Sequence, residues 1–311
     1  MSGGSPGKTR SVRLGRPRDW IIGGLLLLAL VLAVSLSVGW GPLLAPWRSL
    51  SMVELATLLA LSALSYLLRA VRVYDYFRPS FDGRIAAVLR LSVLHNTANN
   101  LLPMRAGEMV FPWLMRRYFA HGFVDATAAL VWIRLLDLHF LGLIGIFTLY
   151  LREPSWLWPS AGLLWLGLLP LAGLVRNLMP AGGDGRLRKI LRLLTDAAPG
   201  SGGRVLRIYL WTALSWSTKF IAFATLLHHF LPVDLWLVLI GVMGAELSSV
   251  LPFHGIAGSG SYELAAVAAL VPLGVSAEKA LAGAVNLHLF LLGVTLLLGV
   301  LALLLPVRRS G

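Results

Sequence analysis

The sequence predicts an all-α polytopic membrane protein with six full transmembrane helices plus two re-entrant helical hairpins in an inverted repeat. Of the 311 residues, 57% are hydrophobic and only 13% are charged, whereas a soluble domain carries about 25% charged residues. Several apolar runs are long enough to cross the ~30 Å hydrocarbon core of a bilayer. In addition, Pro and Gly interrupt the apolar pattern once in each half of the chain. Such breaks are tolerated at membrane depth only where the backbone is buried or lines a wet cavity.

Six segments have the length and composition of complete crossings. They are 20–38, 52–74, 126–150, 156–175, 207–230 and 279–305. Helix-breaking pairs and triplets separate them, such as Trp-Gly-Pro at 40–42 and Arg-Pro at 78–79. Residues 1–19 are predicted to form a basic cytoplasmic N-terminus, and the polar connection at 176–206 is predicted to be a cytoplasmic loop.

Two further segments, 84–117 and 234–275, contain too many polar or glycine residues to be simple crossings. The first contains Asn-Asn-Leu-Leu-Pro-Met-Arg-Ala-Gly-Glu at 99–108, and the second contains Ser-Val-Leu-Pro-Phe-His-Gly at 249–255 and continues to Glu263. Each joins a Leu-Pro pair to a basic side chain, glycine and a glutamate. Each segment is therefore predicted to be a hairpin that enters the membrane, breaks near its Leu-Pro and returns to the same side.

The distribution of positive charge predicts the topology. With both termini in the cytoplasm, 21 of the 27 Lys and Arg fall on the cytoplasmic side, as the positive-inside rule requires. The first repeat, 20–150, and the second, 151–311, then share the order span, span, hairpin, span. Three crossings in each repeat give the repeats opposite orientations, so the hairpins open to opposite sides and enclose a site near the bilayer midplane. If the hairpin arms cross completely, the chain has ten helices and the same parity.

Composition also limits the partners. The net charge of +13 lies in the connections between spans, which indicates contact with anionic membrane lipids. Nucleic acid is not expected as a partner, because the basic residues form no stripe interleaved with aromatic residues. The chain has no Cys, which excludes disulfides and thiolate sites. No cofactor and no metal is expected, and a homo-oligomer is left open.

Arg105 is the first candidate for substrate contact. A charged side chain in the membrane is costly unless it faces a cavity and finds a partner, and a helix that starts after the Leu-Pro break would offer free N–H groups to an anion. The alternative is a structural pair with Glu108. Glu108 and Glu263 hold matching places after the two breaks and could carry a proton or form a structural pair. His254 takes the place of Arg105 in the second break and could titrate near neutral pH.

Other polar residues are predicted to line a path or to support the breaks. The candidates for substrate contact before the breaks are His95, Asn99, Asn100 and Glu246. Lys219 is expected to pair with Glu246 or to extend toward the interface. A structural or gating role is predicted for an i, i+3 ion pair and for the break residues: Arg134, Asp137, Pro103, Pro252, Gly107, Gly258 and Gly260.

These motifs resemble those of the flippase-like transmembrane domain of lysylphosphatidylglycerol synthases. The matching segments are 100–108, Arg-Leu-Leu-Asp at 134–137, 246–252, Gly-Ser-Gly-Ser-Tyr-Glu at 258–263 and 273–276. The resemblance implies a multi-pass protein of the bacterial or archaeal inner membrane that moves a lipid between leaflets. It also implies a polar signature, consisting of Arg105, Glu108, Arg134, Asp137, Glu246 and Glu263.

Two departures from the family matter. The chain stops at Gly311 without a soluble domain that could hold an aminoacyl-tRNA, so we expect a stand-alone member without aminoacyl-transferase activity. The second break reads Leu-Pro-Phe-His where the resemblance leads us to expect a proline- or glycine-rich turn, which leaves the role of His254 open.

The leading hypothesis is a flippase-like transporter of an anionic phospholipid or a polyprenyl-linked lipid. The sequence leaves two alternatives. The first is a membrane enzyme acting on lipid-linked substrates, although the chain has no Asp-rich metal motif and no Ser/His/Asp set. The second is an ion- or proton-coupled transporter of small anions, because broken helices also suit such ligands.

Overall fold

A computed structural model describes residues 17–81, 83–170, 185–248 and 255–306. These residues form helices and short turns, without a β-strand in any of the four ranges. The α-helices are α1 (Pro17–Ser37), α2 (Trp40–Leu44), α3 (Met52–Tyr76), α4 (Ile85–Leu101), α5 (Val110–Phe119), α6 (Phe123–Arg152), α7 (Leu157–Leu166), α8 (Arg186–Ala197), α9 (Gly202–Phe230), α10 (Leu235–Ser248), α11 (Ser261–Leu270) and α12 (Ala277–Leu304).

Five helical segments within the described ranges are long and apolar enough to cross a membrane. They are Trp20–Ser37, Met52–Tyr76, Phe123–Arg152, Ile256–Leu273 and Ala277–Leu304. The number rises to six if α9 and α10, which meet at a bend of 113°, form one broken span. The all-α, multi-pass fold is therefore confirmed.

The set of crossings differs from the prediction in two places. Ile256–Leu273, predicted as one arm of a hairpin, is itself long and apolar enough to cross. The predicted crossing at 156–175 is described only as far as residue 170, and α7 rises about 15 Å at ~1.5 Å per residue, half of the ~30 Å core. The predicted crossing at 207–230 lies within α9.

Four long helices, α3, α6, α9 and α12, connect two ends of the molecule. Three contacts mark the basic end: Arg207 with Asp75, Arg90 with the carbonyl of Leu305, and Tyr76 with the carbonyl of Ala197. Two contacts mark the opposite end: His229 with the carbonyl of Pro46, and Arg152 with the ring of Trp236. The basic end also holds α8, since Trp132 donates to the carbonyl of Leu194.

Local sequence explains where these helices begin. Ser51 accepts a hydrogen bond from the backbone N–H of Glu54 at 3.2 Å, and the Glu54 carboxylate accepts from the N–H of Ser51 at 2.8 Å. This reciprocal capping box satisfies backbone donors that the first turn of α3 leaves free. At the start of α9, the Ser201 side chain accepts a hydrogen bond from the N–H of Arg204, a cap without the reciprocal bond.

The segment predicted as the first hairpin, 84–117, folds back on itself as α4, a 3-10 turn at Pro103–Met109, and α5. Its two ends meet, because Arg84 donates to the carbonyl of Tyr118 at 2.9 Å. α4 ends at Leu101 since the residue before a proline is forced into an extended conformation, here with ψ of 136° at Leu102. Met104 has a φ of 53°, a left-handed conformation that is costly for this residue type.

The second predicted hairpin, 234–275, also folds back, as α10 and α11. Gly241 lies against Leu270, and the Tyr262 hydroxyl donates to Glu246 at 3.5 Å. Pro252 and His254 lie outside the described residues. The backbone then passes through a 3-10 turn at Ile256–Gly258.

The second turn, residues 255–260, contains glycines with backbone conformations that a side chain would disturb. Gly258 and Gly260 have φ values of 78° and 83°, which glycine adopts without steric cost. A Cβ on Gly260 would lie 2.9 Å from the carbonyl oxygen of Leu26. α1 therefore packs directly on the backbone of the second turn.

The two turns meet inside the bundle. Pro103–Met109 contacts Ile256–Gly258, and both turns contact α1. The first hairpin has its open end at the basic end of the molecule, where Arg84 lies, whereas α10 starts at the opposite end, beside Arg152. The position of the turns at membrane depth stays a prediction.

Gly107 gives a direct test of the first turn. A Cβ at this position would lie 2.3 Å from the backbone nitrogen of Asn99 and 2.4 Å from the carbonyl carbon of Ala98. Because backbone atoms cannot rotate away, we expect Gly107→Ala to lower the free energy of unfolding by at least about 1–3 kcal/mol. Gly293→Ala is the matched control, since no atom lies within 4 Å of its Cβ position. Thermal unfolding in detergent should separate the two, and equal midpoints would contradict the tight approach at Gly107.

Candidate functional site

A network of ionisable side chains runs through the interior of the bundle, where an apolar core would be expected. Its most deeply buried members are Arg72, His95, Asp137, Glu246, Glu263 and His288. Buried charges are stable only when they are paired and hydrogen-bonded. The hydrogen-bond and ion-pair partners of each group therefore show which residues have a structural role and which could still bind a ligand.

Asp137, on α6, is the centre of the network. Its Oδ1 accepts from Arg72 Nη1 at 2.5 Å and from the indole N–H of Trp216 at 2.8 Å. Its Oδ2 lies 3.4 Å from Arg134 Nη1, so the predicted i, i+3 pair exists but is the longest of these contacts. Arg72 also donates to Thr212 at 2.9 Å. One carboxylate thus joins α3, α6 and α9.

Arg134 connects this centre to the first turn. Its Nη2 and Nε donate to Glu108 Oε1 at 2.8 and 3.1 Å. The second oxygen of Glu108 lies 3.9 Å from His95 Nε2, which is also 3.3 Å from the Asn99 amide nitrogen. Glu108 therefore forms an ion pair with Arg134 on α6. Arg105 belongs to the same turn, and its side chain lies outside the described part of the structure.

A small cavity lies beside Arg134. Six polar residues line it: Arg69, Arg72, Ser92, His95, Asn96 and Arg134. Its volume is about 20 Å³, which is room for about one water molecule. Four buried nitrogen atoms of this set have no hydrogen-bond partner: Arg69 Nε and Nη2, Arg72 Nε and His95 Nδ1. The residues that line the cavity thus carry unused nitrogen atoms, three of them guanidinium donors.

Arg69 is the least compensated of these cations. Its guanidinium lies 4.8 Å from the ring centroid of Trp216, and its Nη1 donates to Asn96 Oδ1 at 3.4 Å. Within the described ranges it has no ion-pair partner. Three arginines, Arg69, Arg72 and Arg134, therefore line the cavity, and two carboxylates, those of Asp137 and Glu108, pair with Arg72 and Arg134.

The sequence analysis counts Arg69 and Arg72 among the cytoplasmic residues at the end of a span, and the structure shows that both are buried. Arg69 is 9% exposed and Arg72 is 3% exposed. Both belong to a polar stripe on one face of α3 that includes Ser62 and Ser65. The spacing of three to four residues puts these side chains on one side of the helix, and that side is packed against the rest of the bundle. This stripe is the signal that could have identified the two arginines.

The second hairpin contributes an acidic group to the same network. Glu246 Oε2 pairs with Lys219 Nζ at 2.5 Å, as the sequence suggests. Lys219 lies 5.4 Å from the ring of Trp216 and 4.8 Å from that of Phe223. The indole of Trp216 therefore contacts both Lys219 and Asp137, and no pattern in the sequence singled this residue out.

Glu263 forms another buried pair of this network, next to the second turn. Its Oε1 lies 2.6 Å from His288 Nδ1, and its Oε2 accepts from the backbone N–H of Gly260 at 2.8 Å. The ring of Tyr262 stacks on His288 with a centroid separation of 4.5 Å. In the sequence, His288 is only weak evidence for a site, because a lone histidine on an apolar helix has many roles. In the structure, it is the partner of Glu263.

The side-chain amide of Asn100 is hydrogen-bonded to other helices of the bundle. Its amide donates to the hydroxyls of Thr295 at 2.8 Å and Tyr66 at 3.2 Å. These bonds tie the end of α4 to α12 and α3. The amide of Asn286 is likewise bonded to the carbonyl of Leu43, and its oxygen accepts from Trp47 at 2.7 Å. Neither asparagine is left with an unused amide nitrogen.

The cluster around the cavity has the chemistry of an anion receptor. Guanidinium groups donate several hydrogen bonds in a fixed geometry that matches phosphate and carboxylate oxygens. Among the described residues, no group of three or more acidic, histidine or cysteine side chains is arranged to hold a metal ion. The site therefore offers positive charge and hydrogen-bond donors within a low-dielectric bundle.

A family model described as the lysylphosphatidylglycerol synthase TM region matches residues 20–299. This match includes every helix that contributes to the site. A comparison with curated proteins gave no significant match.

Proposed function

Because the chain belongs to the family of the lysylphosphatidylglycerol synthase transmembrane region, we propose that it is a flippase-like lipid transporter. It moves an anionic phospholipid or a polyprenyl-linked lipid between the leaflets of the bacterial or archaeal inner membrane, with both termini in the cytoplasm. The multi-pass fold and the family relationship to lipid handling support this proposal.

The observation that carries the proposal is the guanidinium-lined cavity. A buried cation without a counter-ion is strongly unfavourable in a membrane. Within the described ranges Arg69 has no ion-pair partner, and Arg69 and Arg72 both keep unused N–H groups beside the cavity. An anionic ligand would satisfy these donors and offset the excess positive charge. A phosphate in a lipid headgroup is the anion that a bilayer supplies in quantity.

The contacts of the two hairpins support an inverted repeat around this site. The first hairpin is followed by the long helix α6 and the second by the long helix α12, and the open ends of the hairpins lie toward opposite ends of the molecule. Their turns touch each other in the bundle. A transporter of this kind exposes its site to one side and then to the other. A cavity of about 20 Å³ corresponds to the closed stage, so α4 and α5 must move away from α3 to admit a phosphate.

The small cavity also supports a second candidate function. Room for about one water-sized group suits a small inorganic anion without any opening of the hairpin. The alternative is thus an ion- or proton-coupled transporter of small anions. We propose transport in both cases and no enzymatic activity.

Reconstitution in liposomes tests the proposal. Vesicles of phosphatidylglycerol and phosphatidylethanolamine would contain a trace of fluorescent phosphatidylglycerol in both leaflets, and a membrane-impermeant reductant would be added outside. The reductant reaches only the outer leaflet of protein-free vesicles. Vesicles with active protein should lose the inner-leaflet signal as well, because the probe crosses during the assay.

Three outcomes separate the candidates. Loss of inner-leaflet signal supports lipid transport. Equal signals with and without protein for every anionic lipid would contradict it, and uptake of radiolabelled chloride in the same vesicles would then select the small-anion transporter. A new lipid product in the extracted vesicles would select a membrane enzyme.

A further inference from the structure

A second cavity lies on the side of the bundle, away from the arginine cluster. It is a groove of about 320 Å³ between α1, α11 and α12. Its walls are almost entirely apolar or small, and they include Leu26, Leu30, Ala33, Leu264, Val267 and Leu281. Small side chains on α1 at Ala29 and Ala33 leave the space that larger residues would fill.

The surroundings of the groove are hydrocarbon. α1 and α12 are both long and apolar enough to span a membrane, and only 11% of the spanning window of α1 is buried in the protein. Leu264, on the wall of the groove, is 65% exposed. No water is available in the bilayer core, so a groove in this position is filled by lipid.

The length of the groove matches one leaflet. It extends along α1 from Leu26 to Ser37, a distance of about 16 Å at ~1.5 Å per residue. One leaflet supplies about half of the ~30 Å hydrocarbon thickness. The shallow end holds Ser37 and Glu278, where α1 ends and α12 begins.

The deep end of the groove is closed by the second turn. Gly260 lies against the carbonyl of Leu26, and Glu263 is held by His288. Because Glu263 is only 2% exposed, it presents little charge to the groove. The groove is thus apolar along its length, polar at the end near Ser37 and Glu278, and closed by the second turn at the other end.

We propose that this groove is a binding site for one hydrocarbon chain of a membrane lipid, with the lipid headgroup at the end formed by Ser37 and Glu278. The chain lies along α1, between Ala33 and Leu264, and its terminus reaches the second turn at Gly260. This site is separate from the arginine-lined cavity. It can therefore hold a lipid whether or not the protein moves lipid between leaflets.

Photolabelling tests this assignment. The full chain is reconstituted in vesicles of phosphatidylglycerol and phosphatidylethanolamine that contain phosphatidylglycerol with a diazirine in one acyl chain. After irradiation, labelled peptides are mapped by mass spectrometry. We expect strong labelling of Leu264 and weaker labelling of Leu36, which is 85% exposed on α1 and does not line the groove.

Two variants of α1 separate the groove from the general lipid surface. Ala33→Trp fills the groove and should reduce labelling of Leu264 several-fold, whereas Leu36→Trp places the same side chain outside and should leave it unchanged. Leu264→Trp, with labelling read at Leu30, repeats the test from the opposite wall. Size-exclusion chromatography with light scattering confirms that each variant is folded.

The proposal is wrong if Ala33→Trp leaves the labelling of Leu264 unchanged, or if Leu264 and Leu36 are labelled equally in the wild-type protein. It is also wrong if the wild-type protein is a dimer that Ala33→Trp dissociates, because the groove would then be an interface between two copies. Labelling that depends on the groove, in vesicles that show no lipid transport, would support this site while contradicting the proposed function.

Discussion

Asp137→Asn is expected to lower the free energy of unfolding by about 3–5 kcal/mol, the range observed when one partner of a buried ion pair is removed. The carboxylate of Asp137 accepts from Arg72 and from Trp216 and lies 3.4 Å from Arg134. The substitution preserves shape but removes the negative charge, so two guanidinium groups lose their common counter-ion. Thermal unfolding in detergent, followed by intrinsic tryptophan fluorescence, measures the effect.

Asp75→Asn is the matched control. Asp75 also accepts two hydrogen bonds from an arginine, Arg207, at 2.5 and 2.8 Å. The Arg207 side chain is 51% exposed, however, and exposed ion pairs contribute about 0–1 kcal/mol. Similar losses for both variants would show that Asp137 is not in a desolvated network. Addition of Arg72→Met to Asp137→Asn should recover part of the lost stability, because it removes the cation that had been paired with Asp137, whereas Arg134 keeps Glu108 as its partner.

The positions of the helices were largely predictable from local sequence. Length and apolar composition locate α1, α3, α6 and α12, since a span requires about 20 apolar residues. The Leu-Pro pair before Met104 locates the end of α4, because proline constrains the residue before it. These signals act within a few residues of the chain and do not depend on the packing of distant segments.

The partners of the buried charges were not predictable in the same way. The i, i+3 spacing of Arg134 and Asp137 indicates a pair, and the pair exists at 3.4 Å. The shorter contacts of both residues come from other elements, with Arg72 on α3 and Glu108 in the first turn. Which helix supplies a partner depends on how the helices pack, and a single sequence does not contain that information.

The positive-inside rule, which predicts the topology, also draws attention away from two residues of the site. It treats an arginine near the end of an apolar run as a marker of the cytoplasmic side. Arg69 and Arg72 lie in the last two turns of α3, so the rule assigns them to the surface. Their spacing with Ser62 and Ser65 carries the opposite information, namely that the polar side chains share a buried face. A polar stripe within a span therefore deserves a functional hypothesis even where it approaches the span's end.

Arg69→Met is expected to raise the free energy of unfolding by about 1–4 kcal/mol, the gain that can follow when buried charges are replaced by apolar groups of similar volume. Arg69 has no ion-pair partner within the described ranges, and two of its nitrogens have no hydrogen-bond partner. Its stacking on Trp216 and its long contact with Asn96 offset only part of the cost of burial, since a cation–π contact contributes about 0.5–2 kcal/mol.

Lys219→Met is the matched control, because it replaces another buried cation by the same side chain. Lys219 is paired with Glu246 at 2.5 Å, so its removal takes the cationic partner away from a buried carboxylate and should destabilise the protein by about 3–5 kcal/mol. The two substitutions should thus shift the unfolding midpoint in opposite directions. A loss of stability in both would show that Arg69 has a structural role.

The same Arg69→Met protein should transport fluorescent phosphatidylglycerol far more slowly than the wild type in the liposome assay. A residue kept for folding alone would not combine higher stability with lower activity, whereas a residue kept for a ligand would, since functional sites retain groups that destabilise the empty protein. Full transport by the stabilised variant would contradict the anion site at the arginine-lined cavity. Slower transport together with a higher unfolding midpoint would identify Arg69 as a cation whose counter-ion is the transported headgroup.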